Sequence, residues 1–347
     1  MKDLTRPSYG ESIRGHFPVK EFKGLDNIRD PKELAEIANG LVKTYLSSAS
    51  NVDITRNLKL RRRRGWSLSL SGNFHSLQTE GGVNFCVKDS FFGILDSSLG
   101  FTPLVEASDL PFSCADTGAG IYCSDNRHMY RYQSGVLTEL ARAGTYDFNQ
   151  TSLEDSEEFY DSPPPGKILT WMFGRLWVVT DDFICYSRGY RPDQVNLYKD
   201  IIELPGVTML RPATNGYYIG TEDAVYYIAG GNPKAPSLTT TVSSSGCIFG
   251  TAKTLPYKLF GDGSRSGECV VWESKHGKML GSPDGNVTAL TVDHVVYNDA
   301  QSGASFLREL NGDIHHISTL SNQNPDGQNF RATDIATAEV RRNGIII

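Results

Sequence analysis

The sequence predicts an all-β fold, and three observations carry that expectation. A short apolar run, a polar turn and a second, aromatic-rich run return again and again along the chain. Glycine (34), tyrosine (16) and phenylalanine (16) are plentiful in the 347 residues, the mixture that tight turns and strands require. Helix-forming sequence is confined to residues 30–47.

The recurring unit reads as a β-hairpin with a tight polar turn. It runs Gly82–Asp89 then Phe91–Leu95, Gly120–Asn126 then His128–Tyr132, Gly174–Asp182 then Phe183–Ser187, and Gly216–Asp223 then Ala224–Ile228. A looser copy is Cys269–Gly277 then Lys278–Gly281. The starts lie roughly 35 to 55 residues apart, close to the repeat length of a β-propeller blade. The pattern therefore predicts a β-propeller of about six blades, within a range of five to seven, over residues 66–320. The predicted blades are 66–108, 109–146, 166–204, 205–242, 243–292 and 293–320. Phe85, Tyr122, Trp177, Tyr218 and Trp272 sit mid-strand in these hairpins and are the expected core aromatics. The first strand is expected where Leu68 and Leu70 alternate with serines.

Residues 1–65 are expected to form an N-terminal arm with one short helix near 31–45. Asp30 suits the N-cap, Pro31 the first helical position, and Leu34, Ile37, Ala38 and Leu41 recur at helical spacing. Residues 147–165 carry an acidic cluster and Pro163-Pro164-Pro165, and read as an exposed insertion. The tail 321–347 starts as a linker and ends in an apolar Ile345-Ile346-Ile347, expected as a closing strand or a docking element.

The net charge of -6 argues against a surface devoted to nucleic acid. Six cysteines at 86, 114, 123, 185, 247 and 269 form no C-x-x-C pair, and four of them fall within apolar strands, consistent with a reducing environment. The start lacks the apolar run of a secretion signal, and no run approaches the length of a membrane span. No G-x-S-x-G elbow, P-loop or dinucleotide fingerprint is present, and the reading is of a non-enzyme without cofactor. His315 and His316 are adjacent on a predicted strand and face opposite ways, so they make a poor metal pair. Asp125-Asn126, Asp181-Asp182 and Glu222-Asp223 recur at hairpin turns and read as turn chemistry rather than calcium ligands.

Arg61, Arg62, Arg63 and Arg64 form the densest run of charge. It reads as a solvated patch, a nucleic-acid patch or an interface. On a strand two of the four would point each way, which favours an interface between two acidic surfaces over a flat DNA-binding face.

The stretch Asn51-Val-Asp-Ile-Thr-Arg-Asn-Leu-Lys-Leu-Arg-Arg-Arg-Arg-Gly-Trp66 resembles the N-terminal signature of bacteriophage tail β-propeller proteins. Phe22–Pro31, the Gly174–Ser187 hairpin and Val270–Thr291 are similar too, so the resemblance covers most of residues 20–292. The glycine expected in the 55–58 turn is replaced, and the chain is shorter than typical nozzle proteins. The resemblance implies a structural virion protein of the tail nozzle, hub or neck, assembled in the host cytoplasm. It implies a ring, hexameric by analogy, around a mildly acidic lumen through which genomic DNA passes without sequence-specific binding. Connector proteins, tail fibres or tailspikes are the implied neighbours. Arg61–Arg64 and Ile345–Ile347 are the expected contact residues. The alternatives are a propeller that binds a host-surface protein or glycan, and a propeller hydrolase.

Overall fold

A computed structural model describes residues 19–38, 41–47, 52–54, 59–62, 70–141, 160–231, 238–241, 246–260, 266–291, 295–297, 299–310, 313–321, 341–342 and 345–346. Among these residues the chain is all-β, and its helical turns Pro31–Glu33 and Tyr257–Phe260 are 3-10.

Six small sheets follow one another along the chain. Sheet one is β6 (Phe74–Glu80), β7 (Val83–Lys88), β8 (Phe91–Leu95) and β9 (Phe101–Glu106). Sheet two is β10 (Ser113–Asp116), β11 (Ile121–Ser124), β12 (Met129–Gln133) and β13 (Val136–Glu139). Sheet three is β14 (Ile168–Met172), β15 (Arg175–Val179), β16 (Phe183–Arg188), β17 (Arg191–Val195) and β18 (Ile201–Glu203), the last two sharing β16 as partner. Sheet four is β19 (Val207–Ala213), β20 (Gly216–Thr221), β21 (Val225–Ala229) and β22 (Leu238–Thr241). Sheet five is β23 (Lys253–Pro256), β24 (Glu268–Ser274), β25 (Gly277–Gly281) and β26 (Val287–Ala289). These five sheets are antiparallel, and sheets one, two, four and five are plain meanders. Sheet six pairs β27 (Ser302–Leu310) with β28 (Asp313–Ser321), then adds β30 (Ile345–Ile346) in parallel to β28 and β29 (Arg341–Arg342) outside it. The Ile345 and Ile346 of the tail thus complete a sheet, with Ile314 opposite Ile345.

The middle strands are buried on both faces because side chains alternate across a strand. In β15, Leu176 and Val178 pack with Tyr122 and Met129 of sheet two, while Trp177 and Val179 pack with Tyr217 and Ile219 of sheet four. In β24, Val270 and Trp272 meet Tyr218 of sheet four, while Cys269, Val271 and Glu273 face the other way. Phe92 stacks on Phe112 across sheets one and two, with centroids 4.1 Å apart. Phe85, Tyr122, Trp177, Tyr218 and Trp272 are all fully buried. All six cysteines are buried and free.

The sequence misled in three places. The helix expected near 31–45 stops after one 3-10 turn. Asp30 does cap it, accepting from the Lys32 N–H at 2.9 Å, with Pro31 at its start. The apolar residues beyond instead form β2 (Ala35–Ala38) and β3 (Leu41–Leu46), with β1 (Val19–Leu25) parallel to β3. β2 and β3 are antiparallel, with Ala38 paired to Leu41. The arm is also anchored: Asn27 exchanges hydrogen bonds of 3.2 and 3.1 Å with the Val296 backbone.

The second correction concerns the 147–165 insertion, of which 147–159 lies outside the described residues. Asp161 forms a bridge with Val195, and Pro163 and Pro164 are buried. Proline has no N–H to satisfy, so it can fill space along a sheet edge. Third, Leu70 lies in a bend and sheet one starts at Phe74; Leu68 lies outside the described residues.

Candidate functional site in the central cavity

The leading strands of neighbouring sheets lie against one another and are joined by side chains. The Phe112 N–H donates to Ser76 Oγ at 2.9 Å and the Cys114 N–H to Gln78 Oε1 at 3.1 Å, joining β6 to β10. The Leu169 N–H donates to Ser113 Oγ at 2.9 Å, joining β10 to β14. Thr208 Oγ1 donates to the Cys247 carbonyl at 2.7 Å, and Thr254 Oγ1 to the Pro212 carbonyl at 3.4 Å. Ser305 Oγ donates to the Thr251 carbonyl at 2.8 Å, joining β27 to the start of β23. Short polar side chains thus take the place of a continuous ladder, which strands of separate sheets cannot form.

These strands line a cavity of about 590 Å³ to which all six sheets contribute. Its charged or titratable lining is His75, Lys167, Arg211 and Lys253, and no Asp or Glu is among the described lining residues. Burial pushes the Lys253 ammonium down to about 8, with repulsion from Arg211 adding to it and Glu80 opposing it. Burial also lowers Arg211 and His75 and raises Glu80. Glu80 accepts from the Asp116 N–H at 3.4 Å. A second cavity of about 500 Å³, lined in part by Asn126, Lys167, Glu222, Lys275 and Gln301, opens where the leading strands begin.

A buried ionic group stands between sheets five and six. Lys278 Nζ lies 3.0 Å from Glu273 Oε1, donates at 3.0 Å to His316 Nδ1, and reaches the His316 carbonyl at 3.3 Å. All three residues are at most 1% exposed. Burial, with Lys278 beside it, holds the His316 imidazole well below its ordinary value, so it stays neutral and accepts from the ammonium.

The residues singled out in the sequence lie apart from this cavity. Arg61 and Arg62 sit on β5 (Leu60–Arg62), which pairs with β4 (Val52–Ile54) and places Arg61 opposite Asp53; Arg62 is exposed. Arg63, Arg64 and Ile347 lie outside the described residues. Ile345 and Ile346 belong to sheet six, so the two expected contact groups are in separate sheets. Of the three acidic turns, the one at Asp125 shows turn chemistry: Asp125 Oδ1 accepts from the Arg127 and His128 N–H groups at 3.0 and 2.7 Å. Arg211, Lys253, Glu273 and Lys278 were not foreseen. For Arg211 and Glu273 the signal is a charge following an apolar run within a strand, as in Met209-Leu-Arg and Val271-Trp-Glu.

Among the described residues no group of three His, Cys, Asp or Glu side chains is placed to hold a metal, and no helix is long and apolar enough to cross a membrane. No family model and no curated protein matches the chain. Solved structures with a similar path include the extracellular domain of a putative one component system from B. thetaiotaomicron, at 12% identity and a TM-score of 0.44, covering 80% of this chain and 34% of that one. BBS1N in complex with ARL6DN gives 11% identity and 0.41, covering 73% and 91%. PorZ, a surface component of the type-IX secretion system of Porphyromonas gingivalis, gives 10% and 0.39, covering 72% and 32%. This chain therefore spans about a third of the length of the first and last of these. At such scores the likenesses carry no argument, and the fold rests on the sheets themselves.

Proposed function

We propose that the chain is a six-bladed β-propeller serving as a non-catalytic, ring-forming subunit of a bacteriophage tail. The propeller reading is carried by one observation: six successive sheets stack face to face and all line one cavity. Each predicted blade range contains the core of one of these sheets. The tail reading rests on the resemblance of residues 51–66. There β4 and β5 form a hairpin outside the six sheets, a position suited to contact with a neighbouring subunit. Stacked sheets buried on both faces make a stiff body, which a ring that transmits force during DNA ejection needs.

Co-expression with the genes flanking its own, followed by gradient purification, tests the role. The chain is expected in tail-like particles at a fixed ratio to their other proteins. Recovery only as free protein, beside particles that lack it, overturns the reading.

A further inference from the structure

The cavity carries an electrostatic imbalance that the ring role does not use. Arg211 and Lys253 both line it, and among the described residues neither has a carboxylate within ion-pair distance or a hydrogen-bond partner for its side chain. The two are side by side. Thr208 bonds to Cys247 and Pro212 to Thr254, so both segments run the same way, and Arg211 and Lys253 each precede a bonded partner by one residue. Both side chains are part-buried and repel each other, and Glu80 attracts both without reaching ion-pair distance, so a further anion placed between them is favoured. The remaining wall is largely apolar, and the apolar side chains exposed along it include Leu77, Phe249 and Phe306. Its volume of about 590 Å³ falls in the range of small-molecule sites.

We propose that the central cavity binds a small amphipathic anion, with its phosphate or carboxylate head at Arg211 and Lys253 and its apolar body along the Leu77, Phe249 and Phe306 wall. The guanidinium fork and the ammonium point charge suit an oxyanion. The proposal rests on the sheet architecture and not on the tail role, so either can fail without the other.

The test is calorimetric titration of the full chain with phenyl phosphate and, separately, with benzoate, at ionic strength matched with chloride. Saturable one-to-one binding of either probe is expected, and the one that binds tighter identifies the head group. Arg211→Met and Lys253→Met should each weaken it by about tenfold or more. Wild-type protein supplies a second reading if a variant fails to fold. The groups around the head site are Glu80 from β6, Arg211 from β19, Lys253 itself, His316 from β28, and the lining Lys167 and His75. With its ammonium pushed down to about 8, Lys253 is only part-protonated at about pH 8.5, so benzoate binding there takes up protons. That uptake appears as a buffer-dependent enthalpy. No binding of either probe, binding unchanged in both variants, or binding without proton uptake overturns the proposal.

Discussion

Sheets three and four meet through aromatic rings, whereas sheets five and six meet around a buried charge. At the first boundary Trp177 lies 4.9 Å from both Tyr186 and Tyr217, centroid to centroid, among aliphatic neighbours. At the second, Lys278, Glu273 and His316 stand beside a small apolar group of Ile248, Val295, Tyr297, Ala300 and Leu320. The same backbone repeat is thus held by two chemistries. Apolar contact is tolerant of small shifts. A buried ion pair is intolerant of them, and it favours one arrangement at the place where the last sheet, built partly from the chain's far end, must dock.

Replacing the aromatic anchor has the largest expected effect. Trp177→Ala should destabilise by about 3 to 5 kcal/mol, read as a lower denaturant midpoint. An unchanged midpoint would remove the aromatic boundary from the account. Lys278→Met leaves the Glu273 carboxylate buried and unpaired, and should cost about 3 to 5 kcal/mol. Here the boundaries part company. Adding Glu273→Leu to Lys278→Met should recover much of that loss, because a buried pair is often replaceable by apolar groups. No second substitution that simply removes another side chain should rescue Trp177→Ala.

Acid should separate the boundaries further. The folded His316 imidazole titrates well below 6.5, while the unfolded one titrates near it. As pH falls below about 6.5 the unfolded chain takes up a proton that the folded chain refuses, so stability falls, by at most about 1.4 kcal/mol per pH unit for that proton. His75 is lowered too and acts in the same direction. His316→Gln should flatten the wild-type slope between pH 6.5 and 5. An unaltered slope would place the acid sensitivity elsewhere.

The smallest contrast lies within sheet four. The Tyr218 hydroxyl donates to the Ser282 carbonyl at 2.7 Å, whereas the buried Tyr217 hydroxyl has no partner among the described residues. Tyr218→Phe should cost about 1 kcal/mol, and Tyr217→Phe should be neutral or stabilising. Equal losses in thermal unfolding would contradict these assignments.

The aromatic boundary was legible in the sequence because a period of two with large rings states both the strand and its burial, as at Trp177, Tyr218 and Trp272. The ionic boundary was not. Glu273 and Lys278 flank a turn in the sequence, where charge is ordinary; only the fold brings His316 over them. The 31–45 segment failed for a related reason. Leu34, Ile37 and Leu41 satisfy helical spacing, but pairing of β3 with both β1 and β2 overrides that local preference. Arg211 and Lys253 lie some forty residues apart in sequence, and no local pattern announces that they share a cavity. The tail's apolar end was legible as a segment that needs a partner; Ile345 and Ile346 find it in the last sheet, beside β28, and not against the first.

The functional claim is that this stiff stack of sheets is a ring subunit joined through Arg61–Arg64. Native mass spectrometry of the wild-type chain and of a variant with all four arginines replaced by serine tests it most directly. The account predicts a closed assembly of about six copies of the 38.2 kDa chain for wild type, and a folded single copy for the variant. A wild-type protein that stays a single copy at tens of micromolar, or a variant that still forms the closed assembly, would contradict it.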